Sequence, residues 1–128
     1  MADANYPDEL LYHSEHDWVR VEGETATFGI TWYAQDSLGE VVFFDPPQVG
    51  GQVSQGESYA EVESVKAVSD VIAPLSGEIV EVNSDLADAP ERINDDPYGE
   101  GWMVKVRLGD ASERDALMDA ATYQAQLG

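Results

Sequence analysis

Two stretches of this 128-residue chain place reactive side chains at spacings that could do chemistry. The first is "ESVKA", residues 63–67, where Lys66 is one of only two lysines and stands among Glu61, Glu63 and Asp70. An amine in such company is either a solvated cation offsetting local repulsion or a group kept accessible for modification. Local pattern alone favours the solvated cation. The second is "HSEHDW", residues 13–18, with His13 and His16 three apart beside Glu15 and Asp17. Zinc needs several converging N, S or carboxylate ligands, and the chain has no third histidine and no cysteine. A polar loop or strand start is the better reading. No G-x-S-x-G elbow, P-loop or dinucleotide glycine fingerprint occurs. With 26 acids, no pair stands out as a general acid and base.

The elements that must position Lys66 are short strands. "DWVRVEGETATFGI" reads as a hairpin about Glu22-Gly23-Glu24. "VVFFDPP" is a strand stopped by Pro46, and further runs follow at "ESYAEVESV", "AVSDVIAP", "GEIVEVN" and "WMVKVRL". That spacing predicts a compact all-β sandwich or barrel. Helices are few. "TWYAQDSLG" has Thr31 as N-cap and Gly39 as stop. "NSDLADAPERI" offers one turn ending near Pro90, and "SERDALMDAATYQAQL" a C-terminal helix from Ser112 that Asp119 divides. "VGGQVSQGE" and "LSGEIVEVN" echo each other on either side of Lys66. At Lys66 itself, Val62, Val65, Val68 and Val71 recur every third residue and also fit an amphipathic helix. β-Branched residues and the following "IAP" favour a hairpin with Lys66 near its tip, although the usual Asn-Gly turn signal is missing.

Composition bounds the partners. The length suits one domain, 1–128, with residues 1–10 as a loose N-terminal segment, and 43% apolar content suits a folded core. A formal charge of -20 argues against phosphate-driven nucleic-acid binding and against attraction to anionic membranes. The acidic start "MADANYPDELL" lacks a signal-peptide pattern and no stretch has membrane-span length, so a cytoplasmic location is expected.

"GESYAEVESVKAVSDVIAPLSGEIVEVN" resembles the attachment region of the glycine cleavage system H-protein family. "SEHDWVRVEG", "ATFGITWYAQDSLGEVVFFDPP" and "NDDPYGEGWMVKVRL" resemble that family's other segments in the same order, over about residues 12 to 126. The resemblance implies a flattened barrel-sandwich hybrid with the lysine exposed on a hairpin turn. It implies that Lys66 carries lipoic acid as an amide, since biotin carriers typically flank their lysine with methionines rather than Val65 and Ala67. It implies a non-catalytic, monomeric carrier. Such a carrier takes an aminomethyl group from glycine decarboxylase (P protein) to a tetrahydrofolate-dependent aminomethyltransferase (T protein), and its dithiol to dihydrolipoyl dehydrogenase (L protein). Lipoyl-attachment enzymes are the further partners, and relay of octanoyl or lipoyl groups to other proteins is the alternative role. By position, Asp17 and Asp70 match the acids that meet the cargo's amine in a cleft, with Glu15 and His16 beside them. Glu15 stands where the family often has a serine or threonine, and Trp32 replaces an acid, so the cleft departs from the family pattern.

Overall fold

The computed structural model describes residues 6–109 and 111–127. Two antiparallel sheets pack on one core. The larger runs β1 (Leu11–His13), β2 (Asp17–Glu22), β3 (Thr25–Ile30), β9 (Val104–Leu108), β8 (Gly77–Val82) and β5 (Gln52–Val53), in that spatial order. The smaller has β6 (Ser58–Ser64) between β4 (Val41–Asp45) and β7 (Val68–Ile72). Val19, Phe28 and Ile30 from one sheet meet Phe44, Val62 and Val71 from the other in a single apolar cluster. The all-β barrel-sandwich architecture expected from the sequence is the one observed.

Local rules account for most element ends. Gly23, at φ 65°, turns the chain between β2 and β3 in the left-handed region that favours glycine. Helix α1 (Trp32–Leu38) starts where the Thr31 hydroxyl accepts the Ala34 amide, and stops at Gly39 with φ 83°. The two echoing segments pair with each other: Gln52 lies opposite Glu78 and Val53 opposite Gly77. Pro90 separates two single turns, α2 (Asp85–Asp88) and α3 (Arg92–Asp95), where one turn was expected.

The C-terminal segment is broken at Asp119 as expected, and α4 (Ala120–Leu127) begins with the Asp119 carboxylate accepting the Thr122 amide at 2.8 Å. The part before the break, Ala111–Ala116, is a 3-10 turn rather than an α-helix. The reason is local competition. An α-helix would need the Glu113 carbonyl for Leu117, but that carbonyl accepts Gln55 Nε2 at 3.0 Å, while the Leu117 amide bonds Arg114 instead. The Glu113 carboxylate is likewise engaged, accepting the amide and hydroxyl of Ser76 at 2.8 and 2.7 Å.

A second apolar cluster lies on the outer side of β1 and β2. Tyr12 and Tyr123 stack with centroids 4.9 Å apart, and Tyr6, Leu10 and Trp18 are buried with them. Of the N-terminal segment expected to be loose, residues 1–5 fall outside the described residues, while Tyr6 and Leu10 are buried here.

Candidate functional site

Lys66 occupies the middle of a three-residue loop, Val65-Lys66-Ala67, that joins β6 to β7. The helix alternative left open by the valine periodicity is therefore not adopted. Strands pair up to Glu63 opposite Val68, and the loop is closed by the Ser64 amide donating to the Ala67 carbonyl at 2.8 Å. No glycine is needed, because the buried Ser64 hydroxyl takes the place of a turn signal. Its oxygen accepts the amides of Lys66 at 3.3 Å and Ala67 at 3.1 Å. Sequence reasoning did not anticipate this role; a serine two residues before Lys66 in a glycine-free tip is the signal that was available.

A second support comes from behind. The Val65 amide donates to the Glu40 carbonyl at 3.1 Å, tying the loop to the chain that leaves α1. That chain is held in turn by Asn94 of α3, whose side chain donates to Gly39 and Gln35 at 2.8 and 3.0 Å and accepts the Val41 amide at 2.8 Å. Gly39 also clears a path for the lysine. A Cβ there would stand 3.4 Å from Lys66 Cε, and no described residue pairs with the amine. The result is an exposed primary amine on a braced tip. Ser64→Ala should remove one buried acceptor from two loop amides, costing about 1 kcal/mol. Amide hydrogen exchange at Lys66 and Ala67 should then accelerate; unchanged exchange would deny Ser64 the bracing role.

Beside the loop lies a groove of about 310 Å³. Its walls are Val62, Ala67, Val68 and Ser69 from the hairpin, Tyr33, Ala34, Ser37 and Leu38 from α1, and Glu15 and His16 from the turn before β2. Of the four residues expected around a cleft, Glu15 and His16 line it. Asp70 is exposed on β7 opposite Glu61 and does not line it. Asp17 lies out of reach of solvent, 1% exposed.

His16 has φ 74°, a left-handed backbone fixed by its amide donating to His13 at 2.9 Å and its carbonyl accepting Thr31 at 3.1 Å. Its Nδ1 is 2.7 Å from the Tyr123 hydroxyl, which is also 2.8 Å from the Thr31 hydroxyl. Tyr33 covers the ring at 4.5 Å between centroids. Burial lowers the pKa of His16, and the Glu15 carboxylate opposes that only in part. The ring is therefore neutral near pH 7.

Burial holds the Asp17 carboxyl well above the usual carboxylate range; the Ile72 amide opposes this and the Glu15 charge adds to it. Its Oδ2 has no hydrogen-bond partner among the described residues. A raised acid keeps its proton in the folded chain at pH values where the unfolded chain has released it. Stability contributed at this site is thus full below the ordinary value of 3.8 and falls as pH rises toward the folded pKa. Asp17→Asn should gain stability relative to the parent at about pH 8 compared with about pH 4. Urea midpoints at both pH values measure it, and an equal difference at the two would contradict the buried acid.

Comparison with known proteins places this geometry in context. The glycine cleavage H-protein family model matches residues 10–128. The chain is 54% identical over 122 residues to the glycine cleavage system H protein of Symbiobacterium thermophilum, covering 95% of each. It is 50% identical over 125 residues to that of Idiomarina loihiensis, covering 97% of each. The crystal structure of a glycine cleavage system H protein from Mycobacterium marinum superposes with a TM-score of 0.84 at 42% identity, over 95% of this chain and 98% of that one. A lysine on a braced tip beside a groove, within a sheet sandwich matched along almost its whole length, leads to one assignment: the chain belongs to the glycine cleavage H-protein family.

Proposed function

We propose that the chain is the lipoyl-bearing carrier of the glycine cleavage system, acting as one domain, with Lys66 as the attachment residue. The observation that carries this reading is the Lys66 amine, without a partner among the described residues, at the tip of a three-residue loop with a groove of about 310 Å³ alongside. Those residues fit an amide-linked arm. A ligase needs an unhindered amine on a rigid support, and Ala67, Ser64 and Gly39 add little bulk around it. When bound, the lipoyl group supplies a cyclic disulfide that opens to carry an aminomethyl unit and closes on reoxidation.

The chain's own residues present and shelter that arm; they do not catalyse. The braced loop fixes where the arm starts. Val62, Leu38 and Ile30 give the groove an apolar floor that excludes water, and Glu15 gives its wall a carboxylate suited to an amine. An exposed ion pair contributes only about 0–1 kcal/mol, so Asp70, if it meets the cargo, needs the groove around it to matter. Burial favours the neutral form of the Asp17 carboxyl. No chain thiol competes with the arm's sulfurs, because the sequence has no cysteine.

Partners are the glycine decarboxylase, the aminomethyltransferase, the dihydrolipoyl dehydrogenase and the lipoyl-attachment enzymes. Val65 and Val68, 69% and 60% exposed beside the lysine, give an otherwise acidic protein apolar surface for them to grip. The carrier works as a cytoplasmic monomer, and among the described residues no helix is long and apolar enough to cross a membrane. Glycine-dependent exchange of CO2, with purified glycine decarboxylase and the lipoylated chain, tests the reading. Exchange above the level seen with unlipoylated chain supports it. Lipoyl transfer to an acceptor domain without any exchange would replace it with the relay role.

A further inference from the structure

We propose that Tyr123, reaching in from the C-terminal helix, is a positioning residue that holds the His16 ring neutral with its Nε2–H turned into the groove. The proposal rests on the carrier reading only for its consequence; the ring geometry stands without it.

The direction of each hydrogen bond follows from which buried donors can be satisfied. Thr31 and Tyr123 are both 0% exposed. The Thr31 oxygen already accepts the Ala34 amide at 3.3 Å, and the Tyr123 oxygen, at 2.8 Å, is its other partner among the described residues. If Tyr123 donated to Thr31, the threonine proton would be buried with no acceptor, a loss of the kind folded proteins avoid. Thr31 therefore donates to Tyr123. The Tyr123 proton is then directed to His16 Nδ1, 2.7 Å away. A nitrogen that accepts a bond carries no proton, so the neutral ring bears its hydrogen on Nε2. Nε2 has no partner among the described residues, and His16 is a wall of the groove. The left-handed backbone at His16 and the Tyr33 ring over its face keep the imidazole in this plane.

The arrangement matters because of the cargo's charge. An amine carried on the arm is cationic near pH 7, and a protonated histidine on the same wall would repel it in a partly dry groove. Protonation at Nδ1 would set two donors against each other unless the whole relay reversed. Tyr123 thus discourages the charge, in concert with burial of the ring. The titratable groups around His16 are Glu15 beside it, Tyr33 on α1, Tyr123 on α4, His13 across the turn and the buried carboxyl of Asp17 next in sequence.

The test uses the unlipoylated full chain with nitrogen-15 labelled histidine. Ring spectra of the parent should show the Nε2–H tautomer alone, with a titration midpoint below that of an exposed histidine. Tyr123→Phe should move the midpoint upward and bring in the Nδ1–H tautomer. An Nδ1–H tautomer in the parent overturns the proposal even if the variant does not fold. So does an unchanged midpoint and tautomer in a folded Tyr123→Phe chain. On lipoylated, loaded chain, the pH at which cargo half-life begins to fall should rise in Tyr123→Phe by the same amount as the ring midpoint. A half-life profile that stayed put while the ring midpoint moved would overturn the role given to the ring. Failure to find lipoyl on Lys66 would sink the carrier reading and leave the ring spectra to decide Tyr123 on their own.

Discussion

Lys66→Arg is expected to leave the fold intact and to reduce glycine-dependent CO2 exchange to background. The Lys66 side chain is exposed and Gly39 leaves room beside it, so the exchange of one exposed cation for another should change stability by no more than about 0.5 kcal/mol. Charge is kept and the acylable amine is lost, because a guanidinium is not the point nucleophile that an ammonium becomes on losing a proton. The chain has one other lysine, and it cannot stand in. Lys105 lies on β9, 3.8 Å from Glu81 and 5.2 Å over the Trp102 ring, on a sheet strand rather than a free tip. A Lys66→Arg chain that folded and still supported exchange would remove Lys66 from the account.

The second large effect is structural. Trp18 is fully buried, donates Nε1 to the Pro97 carbonyl at 2.9 Å, and lies opposite Gly29 across β2 and β3. A Cβ on Gly29 would fall 2.6 Å from the indole, so the glycine is the space the tryptophan occupies. Trp18→Ala should cost about 3–5 kcal/mol, a large share of the roughly 5–15 kcal/mol that holds a small domain folded. Gly29→Ala should cost about 1–3 kcal/mol by overpacking. The two are not independent. With the indole gone, the new methyl enters a hole rather than a ring, so the double variant should cost less than the sum by more than about 0.5 kcal/mol. Urea unfolding of the four chains gives the coupling, and additivity within about 0.3 kcal/mol would deny the contact.

How far the sequence reaches can be judged residue by residue. Thr31, Gly39, Pro46 and Asp119 mark their element ends through bonds or backbone angles set within a few residues, and each acts where it was expected. Only the resemblance pointed to Lys66 as an attachment point, since valine periodicity fitted helix and hairpin alike. Ser64, Asn94 and Tyr123 were not legible in their roles. Asn94 meets Gln35 across 59 residues of chain, and Tyr123 meets His16 across 107, so no local pattern records either contact. The burial of Asp17 was not legible for a related reason. Strand alternation expects one face of β2 in solvent, but Trp18 is covered by the aromatic cluster under α4 and Val19 by the sandwich core. Asp17, Trp18 and Val19 are consequently buried in succession. Both faces of the strand's first half are covered, and the sequence of one strand does not say what lies on its second face.

Carrier function in this protein depends on a single bond, the proposed amide at Lys66. Peptide-resolved mass spectrometry of the chain, produced in a lipoate-competent cell, tests that bond most directly. The account predicts one lipoyl increment, carried by the peptide containing Lys66 and absent from the one containing Lys105. An unmodified Lys66, or an increment found only on Lys105, would contradict it.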